Sequence, residues 1–413
     1  MNKSTRIQSA NSSSQDELRS SNKPGGRALL LLLLVIAIVL SVAILKVHSA
    51  SLVWVWLTWA AAFFGACFIL KREWPRAILV NLAVFALCLG AAESYFSRIE
   101  IKQPTYSSGY RVTDDVVGFG PAKGTKAHSK RMSGSDVLYD VTYTIDDDGL
   151  RISPPWNTEG SRGSVLFFGC SFTFGEGLED DQTLPYQVGF QSGGEYRTFN
   201  FAFHGYGPQQ MLSMIEHGRV QRIVEKTPRY VFYVAIPDHV SRVSGRVSYD
   251  LGTPRYVLDN KGNLQQAGHF TETAPGKPWR ISALTQRLRR SSIYRRFSTP
   301  ESDYSDADLP TYLAVVIRSK QLLIAQYPGL QFQILLWPNW DKGEIPLYEK
   351  VRAGLASTGI PLYLVEDILP DYKTDPQRYM LSPADRHPNA LANRILAAYL
   401  LKSILSSSST LNQ

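Results

Sequence analysis

The sequence predicts an α/β protein: a three-layer α/β/α domain on a parallel sheet, preceded by three N-terminal transmembrane helices. Three observations carry this. From position 165 onward, short apolar runs alternate with helix-length stretches, the pattern of a parallel sheet covered on both faces. Before that lie three long apolar runs, Ala28–Leu45, Ser51–Leu70 and Ala77–Ala92. Between the two regions stands Val165–Gly177, VLFFGCSFTFGEG, a buried-strand run that breaks into a glycine-bounded turn.

The chain has 413 residues, enough for more than one domain. Residues 1–27 are polar and Ser-rich, as a disordered cytosolic tail would be. The three apolar runs are 18, 20 and 16 residues long, the third the shortest; a span takes about 20. Tyr95 and Phe96 follow as interface anchors. The length of the first run and its long polar leader argue against a cleaved signal peptide. Lys3, Arg6, Arg19, Lys23 and Arg27 precede the first run, and Lys71, Arg72 and Arg76 separate the second from the third. Positive segments stay inside, so three spans leave everything after Ser94 outside. With Asp16, Glu17 and Glu73, these segments hold five of the net eight positive charges. The remaining +3 is no nucleic-acid footprint.

Cys67 and Cys88 fall in predicted spans and Cys170 beside Ser171, poor places for a structural bridge, so no disulfide is expected. No His, Cys and acid pattern has metal-ligand spacing, and no cofactor is implied.

Residues 97–160 form a small β-containing module. Asp140–Ile145 alternates as a strand, and Asp146–Gly149 makes a turn. His128 is read as a surface histidine. The main domain covers 161–406. Its strands are expected at Val165–Phe168, Arg197–Phe201, Tyr230–Ile236, Phe332–Trp337 and Leu362–Val365. Helices are expected at Asp181–Phe190, Pro208–Val224, Thr311–Gln326, Leu347–Ser357 and Pro388–Leu405, with Pro208 and Pro388 in first turns. The insertion 242–309 breaks this alternation. Loops of that length are often functional, and it is read as a substrate-side lid, with a small hairpin at Tyr256–Leu264. Its basic cluster Arg287, Arg289, Arg290, Arg295 and Arg296 is read as a solvated face. Residues 407–413 are a frayed tail.

A strand running into a glycine-bounded turn holds a small side chain at the strand's C-terminal edge, where ligands bind in open α/β sheets. Ser171 stands there as a nucleophile candidate and needs a base beside it. His387, after the last strand, is that base, and Asp385 is placed to orient it. Two further stretches, Asn200 to Gly207 and Asp385 to Asn389, bring Asn200, His204 and Gly205 to the same edge.

The blocks Gly169-Cys170-Ser171-Phe172, Asn200 with Gly205, and His387-Pro388-Asn389 together resemble the SGNH (GDSL-type) hydrolases, over about Val165 to Leu405. The resemblance implies a flavodoxin-like sheet, with Ser171 as nucleophile, His387 as base, and an oxyanion hole from the Ser171 and Gly205 N–H groups. Two positions depart from it. Ala384 stands where the family's acid commonly lies, leaving Asp385 two residues before the histidine. Pro237 replaces the block-three asparagine and has no N–H; His239 is the expected substitute. Cys170 replaces the family's aspartate and is read as a small buried hydrophobe.

The implied activity is ester hydrolysis outside a bacterial cytoplasmic membrane, removing O-acyl (acetyl) groups from an envelope or extracellular polysaccharide. The alternatives are an O-acyltransferase using the same Ser171 and His387 with a membrane partner in polysaccharide biosynthesis, and a catalytically inactive glycan-binding or assembly subunit.

Overall fold

The computed structural model describes residues 24–47, 51–157, 159–224, 227–246, 252–270, 290–297, 305–338 and 345–406. The expected tails, apart from residues 24–27, and Arg287 and Arg289 lie outside the described residues. The chain divides into two compact units, Met1–Glu100 with Lys277–Thr299, and Ile101–Gly276 with Pro300–Gln413.

The first unit holds helices Pro24–Lys46, Val53–Cys67 and Glu73–Ile99. Two of them are long and apolar enough to cross a membrane, where three were expected. The shortfall is in the middle run. Its helix has 15 residues, a rise of about 22 Å against a hydrocarbon core of about 30 Å. The third run, the shortest in sequence, instead lies within a 27-residue helix. That helix extends past Glu93 because the carboxylate is satisfied. Glu93 accepts from Ser291 Oγ (2.8 Å) and from the backbone N–H groups of Ser292 (2.6 Å) and Ile293 (3.3 Å).

These donors belong to the sequence insertion. Its described segment Arg290–Phe297 packs within this first unit, whereas its described residues 242–246, 252–270 and 305–309 belong to the second. Arg290 donates to the carbonyls of Leu45 (2.6 Å) and Val47 (2.9 Å) at the end of the first helix. Arg295 pairs with Glu100. Two members of the basic cluster are therefore tied to protein groups, and the solvated-face reading fails for them.

The second unit opens with five short strands: β1 (Thr105–Tyr106), β2 (Arg111–Asp114), β3 (Gly118–Pro121), β4 (Lys126–Ser133) and β5 (Asp136–Thr144). They pair as the antiparallel sheets β1-β4-β5 and β2-β3. Asp146 then closes the expected turn, its Oδ1 accepting from the N–H groups of Asp148 and Leu150. His128 lies on the surface and pairs with Asp140.

The main sheet comprises β6 (Gly163–Phe168), β7 (Tyr196–Asn200), β8 (Pro228–Ala235), β11 (Gln331–Leu336) and β12 (Leu362–Leu364), all parallel, in the order β7-β6-β8-β11-β12. The five apolar runs are these five strands. In chain order the arrangement is 2-1-3-4-5, which reverses direction between β6 and β8, the point where such sheets bind ligands. Alternate strand residues fall into two separate cores. Leu166, Phe168, Val231 and Tyr233 pack with Leu212, Val315 and Val351. Val165, Phe167, Tyr230 and Phe232 pack with Val188, Leu396 and Leu400.

Departures from the expected helices have local causes. Gly218, at φ +68°, takes the left-handed conformation that ends helix Pro208–Glu216; a new helix starts at Arg219. The expected hairpin forms from β9 (Pro254–Leu258) and β10 (Leu264–His269). Near the C-terminus, β13 (Met380–Ser382) and β14 (Asp385–Pro388) make a second hairpin. Pro388 therefore ends a strand instead of opening the last helix. Asn389 caps that helix, accepting from Ala392 N–H at 3.0 Å.

Candidate active site

Ser171 begins a single helical turn, Ser171–Phe174, directly after β6. The turn is tight because Gly169 has no side chain. A Cβ there would lie 2.2 Å from Thr173 Oγ1 and 2.9 Å from Val234 O. Arg151 fastens the other end. Its buried guanidinium donates to the carbonyls of Phe174 (2.9 Å), Gly175 (2.6 Å) and Leu178 and pairs with Asp180 at 2.9 Å. Cys170 is buried in the apolar core, and all three cysteines are unpaired.

The structure brings Ser171, His387 and Asp385 into one chain of hydrogen bonds. His387 Nε2 lies 2.8 Å from Ser171 Oγ, and Asp385 Oδ1 lies 2.6 Å from His387 Nδ1. The two-residue separation of acid and base follows from β14. Residues i and i+2 of a strand point to one face, so the carboxylate reaches the ring two residues after it. An imidazole held this way accepts a proton at Nε2 while Nδ1–H donates to the carboxylate.

Sequence reasoning missed four residues that complete the site. Arg131, on β4, donates to Asp385 Oδ2 at 2.8 Å. Glu176 Oε2 lies 3.8 Å from His387 Nε2 and 2.7 Å from His204 Nδ1. Tyr139, on β5, donates to Glu176 Oε1 at 3.2 Å. Tyr110 pairs with His204 Nε2 at 3.0 Å. Three of the four come from the strand module, whose local pattern gives no hint of the sheet edge it reaches. Glu176 carried a readable signal, as the lone charge between two glycines five residues after the serine.

Burial opposes charge throughout this cluster, and partners decide the outcome. Burial disfavours the His387 imidazolium, but the carboxylates of Glu176 and Asp385 outweigh it and raise its pKa above the ordinary value. Burial would raise Asp385, yet the bonds from His387 and the Arg131 charge hold it low. Glu176 is likewise held well below the carboxylate range against its burial, by His387, His204 and Arg131. Burial pushes His204 down, against the pull of Glu176, so its neutral ring donates from Nδ1. Burial keeps the Tyr110 and Tyr139 hydroxyls protonated.

Ser171 and His387 open onto a cleft of about 430 Å³ also lined by Tyr106, Arg111, Phe172, His204, Gly205 and Asp238. Two expected site residues lie elsewhere. Asn200 is buried behind the turn, its amide donating to Thr173 O and its oxygen accepting from Ala202 N–H. The short Asx loop consumes its side chain. His239 is fully buried; its Nδ1 bonds the Tyr233 hydroxyl at 2.7 Å and its ring stacks on that tyrosine. It begins a helical turn that packs inward, and it does not line the cleft. The place left by Pro237 is flanked by Ile236 and Asp238. Among the described residues no group of three or more His, Cys, Asp or Glu could hold a metal ion.

No protein-family model matches the chain, and no curated protein does. Among solved structures, a protein assigned to the lipolytic G-D-S-L family from Desulfitobacterium hafniense is 13% identical (TM-score 0.31), covering 58% of this chain and 97% of its own. An acetylxylan esterase variant from Geobacillus stearothermophilus is 16% identical (TM-score 0.31; 59% and 94%). A carbohydrate acetylesterase family member from Sinorhizobium meliloti is 8% identical (TM-score 0.30; 58% and 95%). Likeness of this degree does not assign a family.

Proposed function

We propose that the protein is an SGNH-type serine esterase acting outside a bacterial cytoplasmic membrane, with its three apolar helices as anchor. One observation carries the reading: a serine hydroxyl, an imidazole and a carboxylate in hydrogen-bonded series at the switch point of a parallel sheet, open to a cleft. Ser171 Oγ attacks the ester carbonyl carbon as its proton passes to His387 Nε2. The N–H groups of Ser171 and Gly205 hold the oxyanion. The imidazolium then gives its proton to the departing alkoxide, leaving an acyl-enzyme. Water adds to the acyl carbon, losing a proton to His387; the bond to Ser171 Oγ breaks, Oγ takes that proton back, and the acid is released.

The cleft mixes aromatic faces, Tyr106 and Phe172, with the polar groups of Gln103, Arg111 and Asp238. That lining suits a hydrated sugar better than a long acyl chain, and supports O-acyl groups of an envelope or extracellular polysaccharide as substrate.

A second reading is favoured by Pro237, which supplies no donor at the position of the family's third oxyanion group. In that case the fold is an inactive glycan-binding subunit. The full-length protein in detergent micelles, given p-nitrophenyl acetate and a fluorophosphonate probe, separates the two. Hydrolysis with an adduct on Ser171 supports the esterase. A stable, correctly folded protein with neither supports the binding subunit.

A further inference from the structure

We propose that Glu176 is a fixed negative charge that stabilises the imidazolium formed on His387 when Ser171 gives up its proton, and that His204, Tyr139 and Tyr110 hold it there. The inference rests on the esterase reading for its role in turnover, but its electrostatic core stands on geometry alone.

The geometry is specific. Glu176 Oε2 lies 3.8 Å from His387 Nε2, the nitrogen that faces Ser171. That is too long for a hydrogen bond, so Glu176 does not compete with the serine for Nε2. It is close enough that a charge arriving on the ring is felt strongly in a buried site. Asp385 acts from the other nitrogen, at Nδ1. The ring therefore has a carboxylate at each end, one orienting and one only polarising.

The position of Glu176 is fixed by two donors, one of them braced in turn. The neutral His204 donates to Oε2 through Nδ1 (2.7 Å), and Tyr139 donates to Oε1 (3.2 Å). Tyr110 bonds His204 Nε2 at 3.0 Å, setting the tautomer that leaves the proton on Nδ1. Phe174, 4.4 Å between ring centroids, packs on the same imidazole. With both carboxylate oxygens taken by donors, Glu176 is held as an anion and kept from swinging onto the base. The other charges near His387 are accounted for: Asp385 on β14, Arg131 on β4, neutral His204 after β7, and Arg111, Asp238 and Arg242 along the cleft. Among the described residues, Glu176 is the carboxylate that lies within 4 Å of Nε2.

The test titrates His387 directly. Full-length protein labelled with ¹⁵N-histidine is followed by NMR in detergent micelles, with the resonance assigned by its loss in His387→Gln. The wild-type ring titrates above the ordinary value of about 6.5, and Glu176→Gln lowers it by about one unit or more. An unchanged pKa in a folded Glu176→Gln overturns the proposal. Should that variant not fold, Glu176→Asp carries the test; it withdraws the charge by one methylene and lowers the pKa by part of that amount, and a wild-type value overturns the proposal. Fluorophosphonate labelling of Ser171 gives the catalytic arm. In Glu176→Gln its acid limb moves to lower pH by the same amount while the plateau rate falls about tenfold. A wild-type protein that resists the probe defeats the esterase reading, while the titration still decides whether Glu176 charges His387.

Discussion

Arg131 and Asp385, 254 positions apart, meet in a 2.8 Å ion pair in which the carboxylate is almost fully buried. The strand module thus holds the acid of the site from the side opposite His387. Truncating one partner of such a pair leaves an uncompensated buried charge, at a cost of about 3 kcal/mol. Arg131→Met is expected to lower the unfolding temperature by several degrees. Its pH effect is opposite to that of Glu176→Gln. Arg131 disfavours the His387 imidazolium, so its loss raises the His387 pKa and moves the acid limb of kcat/KM to higher pH. A limb that stays in place would show that Arg131 braces the fold without being felt at the base.

Ser171→Ala and His387→Ala are each expected to abolish ester turnover. Both residues serve one proton transfer, so the double variant is expected to be no worse than either single one. Alanine keeps the tight turn after β6, and thermal melting of Ser171→Ala should stay near wild type. Retained turnover in Ser171→Ala would remove the serine from the mechanism.

In the wild type the rate requires neutral His387, whose pKa lies above the ordinary imidazole value. Turnover should therefore rise with pH through an apparent pKa above about 6.5. The same sign applies to stability. A raised histidine pKa contributes stability that is fully present below the unfolded value and lost as pH rises through the folded one. The protein is thus expected to gain rate where it loses this contribution. A kcat/KM profile with its acid limb below 6 would contradict the charge balance around the ring.

His239→Ala is expected to destabilise the fold without slowing turnover per folded molecule. The ring is fully buried, and its loss opens a cavity and removes a 2.7 Å hydrogen bond from the Tyr233 hydroxyl, together worth about 2–4 kcal/mol. Slower catalysis with unchanged melting would restore the sequence expectation that His239 serves the oxyanion.

The contrast between His239 and Asp385 shows where the sequence is legible. The five main strands could be read because buried parallel strands are continuous apolar runs bounded by turns. Ser171 could be read because its turn leaves such a strand at the ligand edge, and His387 from its motif before the last helix. Asp385 was named from its nearness to His387, whereas the strand β14 that puts i and i+2 on one face was not foreseen. His239 sits equally close to a strand end, but closeness in sequence does not say which way a helical turn aims its side chain. Glu176, Arg131, Tyr139 and Tyr110 meet only through tertiary contacts, and no local period encodes those. Asn200 was expected at the cleft edge but is buried behind the turn, where its side chain braces Thr173 and Ala202.

The remaining prediction concerns which side of the membrane the chain reaches after the third helix. By length alone only two of the three helices span, and two spans would return the chain to the side it started from. Packing within the first unit says otherwise. A methyl on Gly26 would touch Ile69 at 3.6 Å, and one on Gly65 would touch Leu33 at 3.7 Å. The start of the first helix therefore lies beside the end of the second. The second helix has run back the full way, short as it is, and the third starts from the same end. A methyl on Gly90 would meet Trp56 at 3.4 Å, which sets the far part of the third helix against the start of the second. The start of the first helix and the Lys71–Arg76 connection thus share one end, the end that the positive-inside rule expects to face the cytosol. The far end carries Glu93 and Glu100 and the carbonyls of Leu45 and Val47, all bound by the Arg290–Phe297 segment. If all three helices cross, Glu100 is expected on the outside. Alkaline phosphatase fused after Phe96 is expected to be active, and fused at Glu73 inactive. The middle helix is too short to cross an undeformed bilayer, and lengthening it by four leucines should leave this pattern unchanged. Activity at Glu73 and silence after Phe96 would mean that the middle helix does not cross.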